Sequence, residues 1–348
     1  MRLSNLLALS VMLFGYMFMP VLAQEMTRQF GSVEPTRSLI IRSTTDISVF
    51  GSVVEAFLDT QPGLAITYEQ WGSNDLFELS LSECREDVPG ADLIISSGVH
   101  QMVKLVNEAC ALTHRSVQTS GMQSVLRWRD QLWGITREPA VMVYNRALVP
   151  SFEVPQSRFD LLDLLRPSLS RYAGRVATYD IERSGLGYLF AFSDSREATT
   201  FGALLESFGR TGVVATCCSA EIIEGVAEGT YLIAYNVLGS YARSLSRNDD
   251  RIGIVLPQDY TLVLSRALMV PKQARNSADA TRFLDFLLSP LGQAELRRVL
   301  LWSPLLDDEG ESVSETSLRP IGLSPSLLVS LDKQKREQFI KRWRSSFP

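Results

Sequence analysis

SLIIRSTTDISVF at residues 38–50 opens a stretch that closes on ADLIIS at residues 91–96, and its periodicity decides the fold. Residues 38–42 are a short apolar strand. A Ser-Thr-Thr-Asp turn follows, and then Val49, Val53, Val54, Phe57 and Leu58 recur at helical spacing on one face. Gln61-Pro62-Gly63 stops that helix, and residues 64–69 read as a second strand. A second helix over 74–84 is capped by Ser73 or Asn74. Residues 91–96 form a third strand, ended by Ser96-Ser97-Gly98. A β-α-β-α-β series of this kind predicts an α/β fold with a mostly parallel, doubly wound sheet.

Downstream, residues 131–144 hold two short β segments around Arg137-Glu138-Pro139. A second β-α series starts near residue 146. It has strands at 174–179, 229–236 and 252–257, and a loop at 180–185 that precedes an apolar helix from Leu186. Residues 261–271 read as another strand and 278–288 as an amphipathic helix. The tail from 304 is rich in Ser and Pro and ends in a basic helix over 332–345. Residues 24–36 are polar and are expected to be a flexible N-terminal stretch.

A length of 348 residues suits two domains. Hydrophobic content of 45% excludes disorder as the main state. With 34 Lys and Arg against 39 Asp and Glu, the net charge is −5, which argues against nucleic acid as a partner. Only two His are present, so a His-rich metal centre is excluded. Arg2, an apolar run over 6–19, Pro20 and small residues at Val21 and Ala23 make the pattern of a cleavable signal peptide, residues 1–23. The run is shorter than the ~20 residues a spanning helix needs. The expectation is a soluble exported chain, one unit more negative once Arg2 is removed.

Export favours structural Cys pairs. Cys84 and Cys110 flank one strand-plus-helix unit whose return brings them together, so a disulfide and two separate buried thiols are both open readings. Cys217 and Cys218 are adjacent and read as two thiols at a strand or turn.

Several strand ends share a composition suited to binding. Ser43, Thr44 and Thr45 follow the first strand, and Ser96 and Ser97 follow the third. Arg183 and Ser184 follow a strand of the second series, and Asn236 follows another. Ligands of open α/β sheets sit at carboxyl strand ends. Helix N-termini there offer free N–H groups and partial positive charge to an anion. Each loop taken singly is better explained by helix capping, and four such loops in two lobes shift the balance toward binding. Arg137 and Arg183 are candidate grips for carboxylate or phosphate, or partners of the adjacent Glu138 and Glu182. Tyr235 either donates to a ligand or lines the core, and Trp71 is either a cleft wall or a packing residue. His100 opens a helix near the cleft. No nucleophile elbow, phosphate-binding P-loop or cysteine-protease signature occurs, so no residue set proposes a reaction.

Six segments carry a family resemblance: IIRSTTD (40–46), ADLIISSGVHQMVKLVNEA (91–109), YDIERSGLG (179–187), YLIAYNVLGSYA (231–242), QDYTLVLSRALMVPK (258–272) and FLDFLLSPLGQ (283–293). On these the chain resembles periplasmic solute-binding proteins of ABC transporters, in the ferric-ion-type group that includes phosphosugar and phosphoglycerate binders. The middle segments look closer to a subgroup that feeds sensor kinases. The resemblance implies a type II two-lobe fold with the ligand between lobes. Lobe one would be 37–143 plus 260–348 and lobe two 144–259, with hinge strands at 141–145 and 261–268. It carries ligand contacts to Ser43, Thr44, Thr45, Ser96, Ser97, Arg183, Ser184, Tyr235 and Asn236. Ferric binders use adjacent tyrosines, and Tyr235-Asn236 leaves that pair incomplete. The expected function is therefore non-enzymatic capture of a small phosphorylated or carboxylated solute, without cofactor or metal. A periplasmic monomer would present it to an ABC permease or a sensor kinase. The alternatives are a ferric-ion binder and an exported α/β enzyme.

Overall fold

The computed structural model describes residues 24–167, 170–303 and 315–347, so the expected leader at 1–23 lies outside the described residues. The chain begins with β1 (Gln24–Gly31), β2 (Arg37–Ser43), α1 (Ile47–Leu58), β3 (Leu64–Trp71), α2 (Ser73–Glu86), β4 (Leu93–Ser96), α3 (Val99–Asn107), α4 (Val117–Ser120), β5 (Arg127–Trp128) and β6 (Leu132–Gly134). Next come β7 (Glu138–Asn145), α5 (Arg158–Leu165), β8 (Val176–Tyr179), α6 (Gly185–Glu197), α7 (Phe201–Thr211), β9 (Val214–Thr216), α8 (Ser219–Ala227), β10 (Ile233–Leu238), α9 (Gly239–Ser246), β11 (Ile252–Val255) and β12 (Thr261–Leu264). The chain closes with β13 (Ala267–Met269), α10 (Ser277–Leu288), α11 (Pro290–Arg298), β14 (Leu318–Pro320) and α12 (Lys333–Arg344).

Two sheets result, and each organises one lobe. The first has the order β1-β3-β2-β4-β13-β6-β5. The second has the order β14-β12-β7-β10-β8-β9, with β11 also paired to β7. In the first sheet β2 runs parallel to both β3 and β4, as the β-α-β-α-β reading requires. Leu93 and Ile95 point to the face covered by α1 and α10, where they meet Phe50, Val53, Phe57, Phe283 and Leu287. Ile94 points to the opposite face, with Leu76 of α2 and Val103 of α3. Alternation with period two and helices on both faces is what makes these strands apolar throughout.

Three features differ from the sequence reading. Residues 24–31, expected to be flexible, form β1 and pair antiparallel with β3. Only Phe30 of that strand is buried, so its pairing rests on backbone hydrogen bonds that leave little hydrophobic pattern. The passage between sheets falls at 135–137 and 265–266 rather than at 141–145. Residues 141–144 already pair inside the second sheet with β10 and β11. The tail, expected on lobe one, divides. Residues 325–331 lie along α3, whereas α12 packs Phe339 and Trp343 against Tyr188 of α6 and Phe201 of α7. The Tyr188 hydroxyl donates to the Ser330 carbonyl (2.6 Å), so the tail touches both lobes.

Cys84, at the end of α2, is bonded to Cys110, just beyond α3, with Cα atoms 5.5 Å apart. Among the described residues no helix is long and apolar enough to cross a membrane.

Two stability predictions follow from this packing. The bond closes a sequence separation of 26 residues. Replacing both Cys84 and Cys110 by Ala is expected to lower the unfolding free energy by about 2–4 kcal/mol, read as a lower urea midpoint at unchanged slope. His100, near the start of α3, is fully buried, and its Nδ1 has no partner among the described residues. Burial, aided by Arg336, pushes its pKa down to about 3. In the unfolded chain a His titrates near 6.5, roughly. The unfolded state therefore gains a proton first as pH falls. The stability this group allows is complete above about pH 6.5 and is lost toward pH 3, by roughly 1 kcal/mol per pH unit. His100→Phe is expected to flatten the pH dependence of the urea midpoint across that window; an unchanged slope would contradict the buried neutral state.

Candidate functional site

Between the two sheets lies a cavity of about 200 Å³. Its floor is made of strand ends. β2, β3 and β4 deliver Thr44, Trp71 and Ser97 from one lobe; β8, β9 and β10 deliver Tyr179, Cys217 and Leu238 from the other. Each strand turns directly into a helix. The N-cap residues of five helices line the space: Asp46 (α1), Gly72 (α2), Ser184 (α6), Cys218 (α8) and Leu238 (α9). Five helix starts place partial positive charge around one volume.

The predicted residues fall into three groups. Thr44, Ser97, Arg183 and Ser184 line the cavity. The Thr44 hydroxyl accepts from the Ser97 backbone N–H (2.9 Å) and lies 3.1 Å from the Ser97 hydroxyl, which ties the β2 and β4 loops together. Ser184 caps α6 by accepting from Gly187 N–H (3.0 Å). Ser43, Thr45 and Ser96 are buried one layer behind. The hydroxyls of Ser43 and Ser96 accept from the backbone of Thr45 and Gly98, at 3.0 Å each, and so shape the loops. Arg137, Tyr235 and Asn236 lie elsewhere. Arg137 exchanges backbone hydrogen bonds with Leu301 and Ser303, and its side chain lines a separate cavity beside Trp302.

Tyr235 and Asn236 sit within β10, before its cleft-facing end at Leu238. They belong to a buried network inside lobe two. Arg158 Nε donates to the Tyr235 hydroxyl (2.7 Å), which donates to Asp194 (2.7 Å). Asn236 also donates to Asp194. Arg158 pairs with Asp194 and Asp259 and lies over the Tyr260 ring. Burial, joined by the neighbouring Asp194 carboxylate, pushes the Tyr235 phenol well above its ordinary range and outweighs Arg158, so it remains a neutral donor.

The adjacent Glu residues do not pair with the predicted arginines. Glu138 pairs with Arg266, and Glu182 accepts from Arg344 Nε (2.8 Å). Among the described residues, the Arg183 guanidinium makes no ion pair and is exposed beside the cavity. Arg266, by contrast, is buried. It donates to Glu138 (2.8 Å), to the Thr44 carbonyl (3.2 Å) and to the Thr45 hydroxyl (3.1 Å). Burial alone would lower its pKa, and the Glu138 carboxylate overrides that and holds it charged. The sequence signal for Arg266 was a charge inside the apolar run 261–271, a place where charge is costly unless paired.

Other cavity residues were not read from the sequence as binding groups. Gln70 donates to Asp46 (3.2 Å) and accepts from Ile47 N–H (3.0 Å). Burial raises the Asp46 pKa, while Arg266 opposes the shift. Burial also raises the phenols of Tyr179 and Tyr241. A hydrogen bond from Cys218 pulls Cys217 down to about 7, and Arg183 adds to this against burial.

The lobes meet directly at the rim. Gly185 N–H donates to the Ser73 hydroxyl (2.9 Å), and Asn74 Nδ2 donates to the carbonyls of Glu182 and Arg183 (3.0 Å each). A Cβ on Gly185 would sit 2.8–3.0 Å from the side-chain ends of Gln101 and Asn74, which would have to shift to admit it.

Residues 89–320 match a family described as bacterial extracellular solute-binding protein. No curated protein sequence matches the chain. Among solved structures, the substrate-binding protein of an ABC transporter from Agrobacterium tumefaciens is similar at 30% identity and TM-score 0.85, over 93% of this chain and 98% of that one. AfuA from Actinobacillus pleuropneumoniae, with fructose-6-phosphate bound, is similar in fold at 15% identity and TM-score 0.70, over 90% and 99% of the two chains. Iron-bound HitA from Pseudomonas aeruginosa gives 16% identity and TM-score 0.68, over 89% and 99%. A family match across most of the chain, a two-lobe fold and a cavity at the strand ends of both lobes lead to one assignment: the chain belongs to the bacterial extracellular solute-binding proteins of ABC-transporter type.

Proposed function

We propose that the chain captures a small solute carrying a phosphate or carboxylate group in the interlobe cavity. The closed form then presents it to an ABC permease or to the periplasmic domain of a sensor kinase. One observation carries the reading: five helix N-termini and the Arg183 guanidinium converge on one small space shared by both lobes. Asp46 and Glu25 also line that space, so attraction for an anion is local to the helix starts and Arg183, not a property of the whole cleft. A solute touching both lobes favours the closed arrangement by its differential contacts with that state. The bonds from Ser73 and Asn74 to the start of α6 are the latch that such a solute would stabilise. Fructose-6-phosphate in AfuA is a precedent within the fold for a phosphorylated solute.

A ferric-ion reading draws less support. The Tyr235-Asn236 pair faces Asp194 and Arg158 inside lobe two, and the phenols at the cavity, Tyr179 and Tyr241, are held neutral by burial. The non-enzymatic role follows the family.

Thermal-shift measurements with inorganic phosphate, sugar phosphates and small carboxylates are expected to show stabilisation by at least one of them. Arg183→Ala is expected to weaken that solute roughly tenfold, about 1.4 kcal/mol. Unchanged affinity would remove Arg183 from the site. No stabilisation by any of these, together with a visible phenolate-to-iron band on adding ferric ion, would replace this reading with the ferric one.

A further inference from the structure

The wall that lobe two gives to the cavity ends in two adjacent thiols outside the disulfide. Cys218 is the N-cap of α8, and Glu221 is the third residue of that helix. Side chains at these two positions meet across the first turn. Here Cys218 Sγ lies 3.8 Å from Glu221 Oε2. A bend at Cys217 swings its sulfur to the same side, so that both sulfurs and a Glu221 oxygen lie within 4.8 Å of one another. Glu221 Oε1 accepts from the Thr216 hydroxyl (2.7 Å), which orients the carboxylate from outside the cluster. Cys218 and Glu221 are exposed and Cys217 is half-buried, so an ion can enter.

Ligands at roughly 2.3 Å (sulfur) and 2.0–2.2 Å (oxygen) from a tetrahedral centre are about 3.5–4 Å apart. The present cluster, within 4.8 Å, would have to close by up to about 1 Å to reach that spacing. Two sulfurs select a thiophilic ion over magnesium or calcium, which prefer an all-oxygen shell. We propose that Cys217, Cys218 and Glu221 hold a thiophilic divalent cation of the zinc class on the cavity wall, with its fourth coordination position open to the cavity. The two thiols release their protons to solvent as the ion binds. Arg183, on the same wall, keeps a negatively charged group close to the open position, so on the anion reading given above a solute oxygen completes the shell. The cation site itself rests on the three side chains alone.

The test uses the full chain, with two titratable thiols per molecule and the Cys84–Cys110 bond intact, and cobalt(II) as the probe. The expected result is one cobalt per chain, thiolate-to-cobalt charge-transfer absorption in the near ultraviolet, tetrahedral bands in the visible and release of about two protons. The paired change Cys217→Ser and Cys218→Ser is expected to abolish these bands. Glu221→Gln is expected to keep the charge-transfer band and weaken cobalt affinity by roughly tenfold or more. No band at stoichiometric cobalt, an unchanged band in the paired serine variant, or a pair of thiols found already bonded to each other would overturn the proposal. Phosphate binding, measured by calorimetry with a chelator present, tests the anion reading separately, so either can fail without the other.

Discussion

The Arg266 guanidinium stands where the two sheets meet, and it cannot be left unpaired there. Removing a charge from water costs several kcal/mol, roughly, unless partners restore what the water supplied. Glu138 supplies two contacts, at 2.8 and 3.2 Å, and is itself fully buried. The carboxylate also accepts from Thr136 (2.8 Å) and Ser240 (2.6 Å). Arg266 spends its remaining donors on the Thr44 carbonyl and the Thr45 hydroxyl. One ion pair therefore ties both crossing segments to the first loop of lobe one and to the start of α9 in lobe two. The loop after β2 and the start of α9, which border the cavity, are held by it. Removing either partner would leave the other as an unpaired buried charge.

Lobe two repeats the device with different chemistry. Arg158 is buried among Asp194, Asp259, Tyr235 and Tyr260. Asp194 accepts from Arg158, Tyr235, Tyr260 and Asn236, so its lone pairs are fully used. This consumption of polar groups takes Tyr235 and Asn236 away from the cavity. A buried polar network must be satisfied internally, and its members are then unavailable to a solute. The polar groups that border the cavity are those at the helix starts, together with the exposed Arg183.

Particular residues show how far the sequence could be read. The alternation of Leu39, Ile41 and Ser43 and the helical spacing of Val49, Val53, Val54 and Phe57 were visible because each reports one local period. Thr44, Ser97, Arg183 and Ser184 line the cavity, and the strand-to-helix loops that carry them are local features of the sequence. β1 was missed since its one buried residue, Phe30, leaves no period to detect. Arg266 and Glu138 are 128 positions apart in the chain, and nothing local couples them. Arg137 and Arg183 were each weighed against the neighbouring Glu, yet both Glu found distant arginines whose approach only the assembled lobes provide.

The sequence by itself determined the α/β class, the β-α-β-α-β order of residues 38–96 and the strand-to-helix loops that follow those strands. Those follow from periodicity, breakers and caps, which act over a few residues. Tertiary structure decided which polar residues are free and which are spent, where the chain crosses between lobes, and that the tail lies across both. It also brought Cys217, Cys218 and Glu221 to one face, through a bend and a helix start whose side-chain directions no spacing reveals. The physical reason is the same throughout. Burial requires charges and hydrogen-bonding groups to find partners wherever the fold places them, and that choice is made in space, not along the chain.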